Sequence, residues 1–130
     1  MIFDLKEFQN KKVIVTGSST GIGFESAMEF LELGANVIFH GNNSIGDLEQ
    51  RIKERSSSQN FKIIKADFTN LNQVNDFMNE ATNHLEGLDI LINNAGTMVG
   101  RYNLDTITEN QFLEIFDLNA KSAFFTTQYA

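Results

Sequence analysis

An α/β fold with a parallel sheet covered on both faces is what this sequence predicts, and three observations predict it. Short apolar runs alternate with stretches of helical spacing from the first strand onward. Those runs are near-continuously hydrophobic, as strands buried on both faces are. A glycine-rich turn, within VIVTGSSTGIGFES (Val13 to Ser26), lies directly behind the first run and directly before the first helical stretch.

Val13–Val15 reads as the first strand. In the helix behind it Gly23, Ala27, Phe30 and Leu31 recur in steps of three and four, and Gly34 supplies a stop. Asn36–Phe39 reads as the second strand, and Ile45, Leu48 and Ile52 mark a second helix that ends in the loop SSSQN. Phe61–Ala66 is the third strand. Asn70 and Gln73 form an N-terminal cap pair for a third helix striped by Leu71, Val74, Met78, Ala81 and Leu85. Leu88–Ile92 is the fourth strand, interrupted only by Asp89. Thr108 and Gln111 form a capping box, and the helix they open runs to the last residue without a stop signal.

Bulk properties narrow the function. The 130 residues suit one domain, 1–130, with a single buried core. No apolar run approaches a membrane span, and the N-terminal MIFDLKEF lacks a signal-peptide core, so a cytoplasmic location is expected. The absence of cysteine excludes disulfides, thiolate catalysis and cysteine metal sites. A net charge of −7 argues against a nucleic-acid partner, which needs clustered Lys and Arg. No metal site is expected.

The glycine turn is the first candidate site. A helix that follows a buried strand aims its unpaired N–H groups at the crevice beyond the strand's C-terminal edge, where an anionic phosphate fits. Gly17 permits the tight turn, Gly21 the close approach of a ligand, and Gly23 close packing of helix on strand. Ser18, Ser19 and Thr20 offer hydroxyls. On its spacing alone, G-x-x-x-G-x-G, the turn reads equally well as a merely flexible one. It lacks the lysine of a P-loop, which argues against nucleoside triphosphate hydrolysis. Asn119 is the second candidate. It falls on the stripe Phe112, Ile115, Phe116, Asn119, Ala123, so a buried amide is expected there, serving either a structural network or a site.

Four segments in order carry a family resemblance. TGSSTGIG (Thr16–Gly23) resembles the TGxxxGIG cofactor motif of the short-chain dehydrogenase/reductase family, and LDILINNAG (Leu88–Gly96) resembles its NNAG motif. Asp67 matches its acidic residue beside the adenine ring, and FLEIFDLNAKSAFFTT (Phe112–Thr127) is similar to its fourth-helix segment, with the active-site asparagine at Asn119. The resemblance implies a Rossmann-type doubly wound sheet and a nicotinamide dinucleotide, NAD or NADP. It implies that Gly17, Gly21, Ile22 and Gly23 cradle the pyrophosphate, and that Asp67 accepts from the adenine amino group with the Phe68 backbone beside it. Asn93, Ala95 and Gly96 would line the cofactor, and Asn119 would hold a water in a proton relay. Read alone, Asp67 better suits the start of the third helix.

Cofactor preference is set at the end of the second strand. Gly41 stands where NAD-preferring members carry an acid and Asn42 where many NADP-preferring members carry arginine, so preference stays open. His40 reads as a strand-end residue. The family's serine and YxxxK lie downstream of its asparagine, and only eleven residues follow Asn119 here. A fold truncated after the fourth strand and the following helix is therefore expected, inactive alone, the parent acting on a small alcohol or carbonyl substrate. A non-catalytic dinucleotide-binding module is the alternative. An S-adenosylmethionine-binding half-domain is disfavoured, because it wants an acid where Gly41 stands. The phenylalanines of the last helix (Phe112, Phe116, Phe124, Phe125) suit either self-association, as family members commonly show, or ordinary packing on the sheet.

Overall fold

The computed structural model describes residues 4–96 and 101–130; the first three residues of MIFDLKEF lie outside it. After a 3-10 turn at Leu5–Phe8 the order is β1 (Lys12–Val15), α1 (Gly21–Glu32), β2 (Asn36–Gly41), α2 (Leu48–Arg55), β3 (Phe61–Lys65), α3 (Leu71–Leu85) and β4 (Ile90–Ile92). Then come α4 (Glu109–Phe116), a π-helical turn (Asp117–Lys121) and α5 (Ser122–Tyr129). The four strands are parallel in the order β3-β2-β1-β4, with Ile14 paired to Ile38 on one side and Leu91 on the other.

Alternation along the central strands divides the core into two layers. Val13, Val15, Val37 and Phe39 face α1 and α2, meeting Phe24, Ala27, Met28, Leu31, Leu48 and Ile52. Ile14, Ile38 and Ile64 face the other way, onto Val74, Phe77, Met78, Ala81 and Leu85 of α3. Because both faces of the central strands are covered, Val13–Val15 and Val37–Phe39 are buried at every position and read as unbroken hydrophobic runs, whereas the edge strand β3 carries Lys62 and Lys65. The sheet is doubly wound, as expected. Asp89 is the exception that proves structural: its carboxylate accepts from the Lys12 N–H at 2.9 Å and its own N–H donates to the Lys12 carbonyl at 2.8 Å. It clamps the start of β4 to β1.

Two expectations need correction. In α1 the buried face includes Phe24 and Met28, whereas Phe30 sits at its margin, edge-on to Phe8 at 5.6 Å. The last helix departs further. Its expected inner stripe faces outward: Phe112 is 56% and Phe116 50% exposed, and Asn119 is exposed as well. Leu118, Ser122, Phe125 and Thr126 turn inward instead. Phe112 and Phe116 precede the π turn, so α4 itself presents them outward. The turn at Asp117–Lys121 then holds more residues than an α turn and displaces a stripe extrapolated at 3.6 residues from Asn119 onward. Among the described residues, no helix is long and apolar enough to cross a membrane.

Candidate functional site

The C-terminal ends of all four strands open onto one cleft of about 610 Å³. Its floor is the β1–α1 turn, through Gly17, Ser19 and Thr20. One wall is the end of β2, His40 to Ser44, continued by Ala66–Thr69 behind β3; the other is Ala95 and Gly96 behind β4, with Glu114 and Leu118. Helix α1 aims its first turn here. Thr20 caps it by backbone position alone, with no side-chain bond to the helix N–H groups, and no acid stands in the first turn. Among the described residues the lining contains Asp67 and Glu114 but no Lys or Arg, so an anion held by them would rely on backbone N–H groups and the helix dipole.

Local structure explains why the turn needs its glycines. Gly17 has φ +61°, and a Cβ there would lie 2.7 Å from the Ala95 Cα. The turn and the β4 loop are therefore in backbone contact, and hydrogen bonds fix that contact. The Thr16 hydroxyl accepts from the N–H groups of Asn94 and Ala95 at 3.0 and 2.9 Å, and the Asn94 side-chain amide donates to the Gly17 carbonyl at 2.9 Å. Gly23 packs against the same carbonyl and the Asn94 amide. Thr16 and Asn94 stood outside the expected site residues, although both lie inside the quoted motifs. Their signal was position: one polar side chain at the end of each of two adjacent strands.

The expected residues divide by where their side chains go. Ser19, Thr20, Asn42, Asp67, Phe68, Ala95 and Gly96 line the cleft with Gly17. Gly21, at φ +61°, opens the first turn of α1. Ser18 does not offer its hydroxyl to the cleft. It is fully buried, donating to the Val15 carbonyl at 2.7 Å and accepting from the His40 N–H at 2.8 Å. Ile22 is 81% exposed and outside the lining. Asn93 turns away toward α5, where its amide donates to Thr127 Oγ1 at 2.9 Å and its carbonyl accepts from Thr126 Oγ1 at 2.7 Å. Asn119, within the π turn, donates to the Ile115 carbonyl at 2.8 Å, and its Oδ1 stands where a Cβ on Gly96 would go. It thus abuts the cleft wall without lining the cleft.

Asp67 joins the two roles that its sequence context left open. Its Oδ1 accepts from the N–H and hydroxyl of Thr69, at 3.0 and 2.7 Å, shaping the entry to α3, while the carboxylate borders the cleft. Gln73 reaches back to the Asp67 N–H at 2.8 Å, and Asn70 caps the helix N–H groups of Asn72 and Gln73. His40 was read only as a strand-end residue, yet it is 4% exposed and lies at the centre of the site. Burial pushes its pKa down to about 4.

With this geometry in view, the comparisons with known proteins are decisive. The family model for short chain dehydrogenase matches residues 11–130. The chain belongs to this family. Among relatives of this short-chain dehydrogenase chain, a short-chain dehydrogenase/reductase of Aspergillus aculeatus is 38% identical over 118 residues, 90% of this chain and 44% of that protein. A hydroxynaphthalene reductase-like protein of Metarhizium guizhouense is 32% identical over 126 residues, 96% of this chain and 47% of its own. Among solved structures, an NADH-dependent reductase complexed with NAD superposes with a TM-score of 0.84 at 28% identity, covering 97% of this chain and 52% of that one. A short-chain dehydrogenase of Burkholderia cenocepacia in complex with NADP gives 0.82 at 26% identity, covering 95% and 50%. The chain thus spans about half the length of the relatives it matches. Family and neighbours support a nicotinamide dinucleotide as cofactor.

Proposed function

We propose that this chain supplies the cofactor-binding part of a hydride-transferring oxidoreductase acting on a small alcohol or carbonyl substrate, in the cytoplasm. One observation carries the reading: the uncapped N-terminus of α1, the Asp67 carboxylate and the small residues Ala95 and Gly96 converge on one cleft. That donor set suits a dinucleotide. Backbone N–H groups at Gly21–Gly23 would hold the pyrophosphate, Asp67 would accept from an exocyclic amine, and Ala95 and Gly96 leave room for a ribose against the backbone. The bound nicotinamide would supply the hydride chemistry. Asn119, beside Gly96, would position a water or substrate group at that end.

At the ribose end the residues at the close of β2 and behind it, Gly41 to Ser44, carry no charged side chain. Gly41 cannot carry a carboxylate without rearrangement, since a Cβ there would lie 2.8 Å from the Ser19 side chain and from Ile45. Asn42, Asn43 and Ser44 follow, with the Ser19 and Ser44 hydroxyls 3.2 Å apart. Nothing there repels a 2′-phosphate and nothing attracts one, so we propose that NAD and NADP bind with similar affinity.

Binding without turnover is the expected behaviour of these 130 residues. Tyr102 is followed four positions on by Thr106 rather than lysine, and the Tyr129 hydroxyl donates to Asn79 on α3. The same observation favours a second reading, a dinucleotide-binding module without catalysis. Calorimetric titration of the chain with NADH should give saturable one-to-one binding, with no oxidation of NADH in the presence of carbonyl compounds. No saturation by about 1 mM, the level of a −4 kcal/mol interaction, would overturn the cofactor reading; sustained NADH consumption by a homogeneous sample would overturn the inactivity.

A further inference from the structure

A histidine at the buried end of a central strand must place two ring nitrogens, and the partners of His40 determine how. The Gly17 N–H can only donate, so Nδ1, 2.8 Å away, accepts. The Ala66 carbonyl can only accept, so Nε2, 2.9 Å away, carries the proton. The ring is thereby a neutral imidazole in one defined tautomer. It stacks on Phe68 with centroids 3.9 Å apart and meets Phe77 edge-on at 4.9 Å. The backbone of the same residue grips the turn again, its N–H donating to Ser18 Oγ at 2.8 Å and its carbonyl accepting from the Ser18 N–H at 2.7 Å. One residue therefore ties the glycine turn behind β1 to the residue preceding Asp67 behind β3.

Those two segments are the floor and one wall of the cleft, the expected pyrophosphate and adenine sides. We propose that His40 is a positioning residue of the dinucleotide site, its ring acting as a spacer that holds the Gly17 peptide and the Asp67 wall at a fixed separation. The role rests on the cofactor reading above. It differs from simple core filling because it depends on an acceptor atom at Nδ1, not on ring volume.

Two substitutions separate the alternatives. His40→Leu retains apolar packing and leaves the Gly17 N–H without its partner in a part-buried place. His40→Asn retains an acceptor near the Nδ1 position and sacrifices the stacking and the Ala66 bond. If His40 positions the turn, H40N should be the less stable of the two yet bind NADH the tighter, with H40L about tenfold or more weaker than wild type, the scale of a donor that loses its partner. Binding by H40L within about twofold of wild type would overturn the role. Should either variant fail to fold, nitrogen NMR of the wild-type ring decides: protonation at Nε2 with an unprotonated, hydrogen-bonded Nδ1 supports the role, and a proton on Nδ1 overturns it. Failure of the wild type itself to bind NADH would instead overturn the cofactor reading and this role with it.

Discussion

His40 also sets a pH dependence whose sign follows from its environment. Burial holds the folded-state pKa at about 4, below the ordinary 6.5. Between those values the unfolded chain takes up a proton that the folded ring refuses, so acid favours unfolding. The contribution is fully present above pH 6.5 and falls by about 1.4 kcal/mol per pH unit as pH drops toward 4, roughly 3 kcal/mol in all. Urea unfolding at pH 7 and pH 4.5 should show this loss in the wild type, over and above any loss in His40→Leu. An equal loss in both would contradict it. At this scale the sequence was only partly legible. Gly17, Thr20 and Asp67 were legible through the family resemblance, their spacing alone leaving a flexible turn and a helix start as equal or better readings, but nothing in FHGNN says that the histidine ring is inside. Ser18 and Asn93 misled for a related reason: a polar side chain near a site can serve the scaffold, and only the fold says which carbonyl it meets.

Among the elements, the end of β2 is where the proposed cofactor choice would be exerted. Asn42 lines the cleft beside a strand end that holds no charge, and a guanidinium there would pair with a 2′-phosphate through charge-assisted hydrogen bonds. Asn42→Arg should therefore raise NADPH affinity by about tenfold or more, the worth of one or two such bonds, while leaving NADH nearly unchanged. Parallel titrations with the two cofactors check this, and an equal gain for both would refute it. The central strands were legible because complete burial leaves an unbroken apolar run, and α3 because its stripe and cap pair agree. The last helix was legible at its start, where Thr108 and Gln111 form the capping box with bonds of 2.9 and 3.2 Å. Its inner face was not: Phe112 and Phe116 point outward from α4 although they are apolar, and the change from α to π winding after them leaves no mark in hydrophobic spacing. That turn holds Asn119, and π turns inside α-helices recur at functional sites.

For the whole molecule, parallel strands and alternating core layers bring segments far apart in sequence to one sheet edge. Gly17, Asn42, Asp67 and Gly96 come from four separate connections and meet in a single cleft. Motif order alone suggested the gathering; the register of β3-β2-β1-β4 produces it. The central claim is that this edge is one dinucleotide site. Its most direct test is a map of backbone amide NMR shifts on addition of NADH to the chain. Shifts should cluster at Gly17–Gly23, Gly41–Asn43, Asp67–Phe68 and Ala95–Gly96, leaving α2 and the far ends of the strands unchanged. Shifts scattered over the surface, or confined to α2, would contradict it.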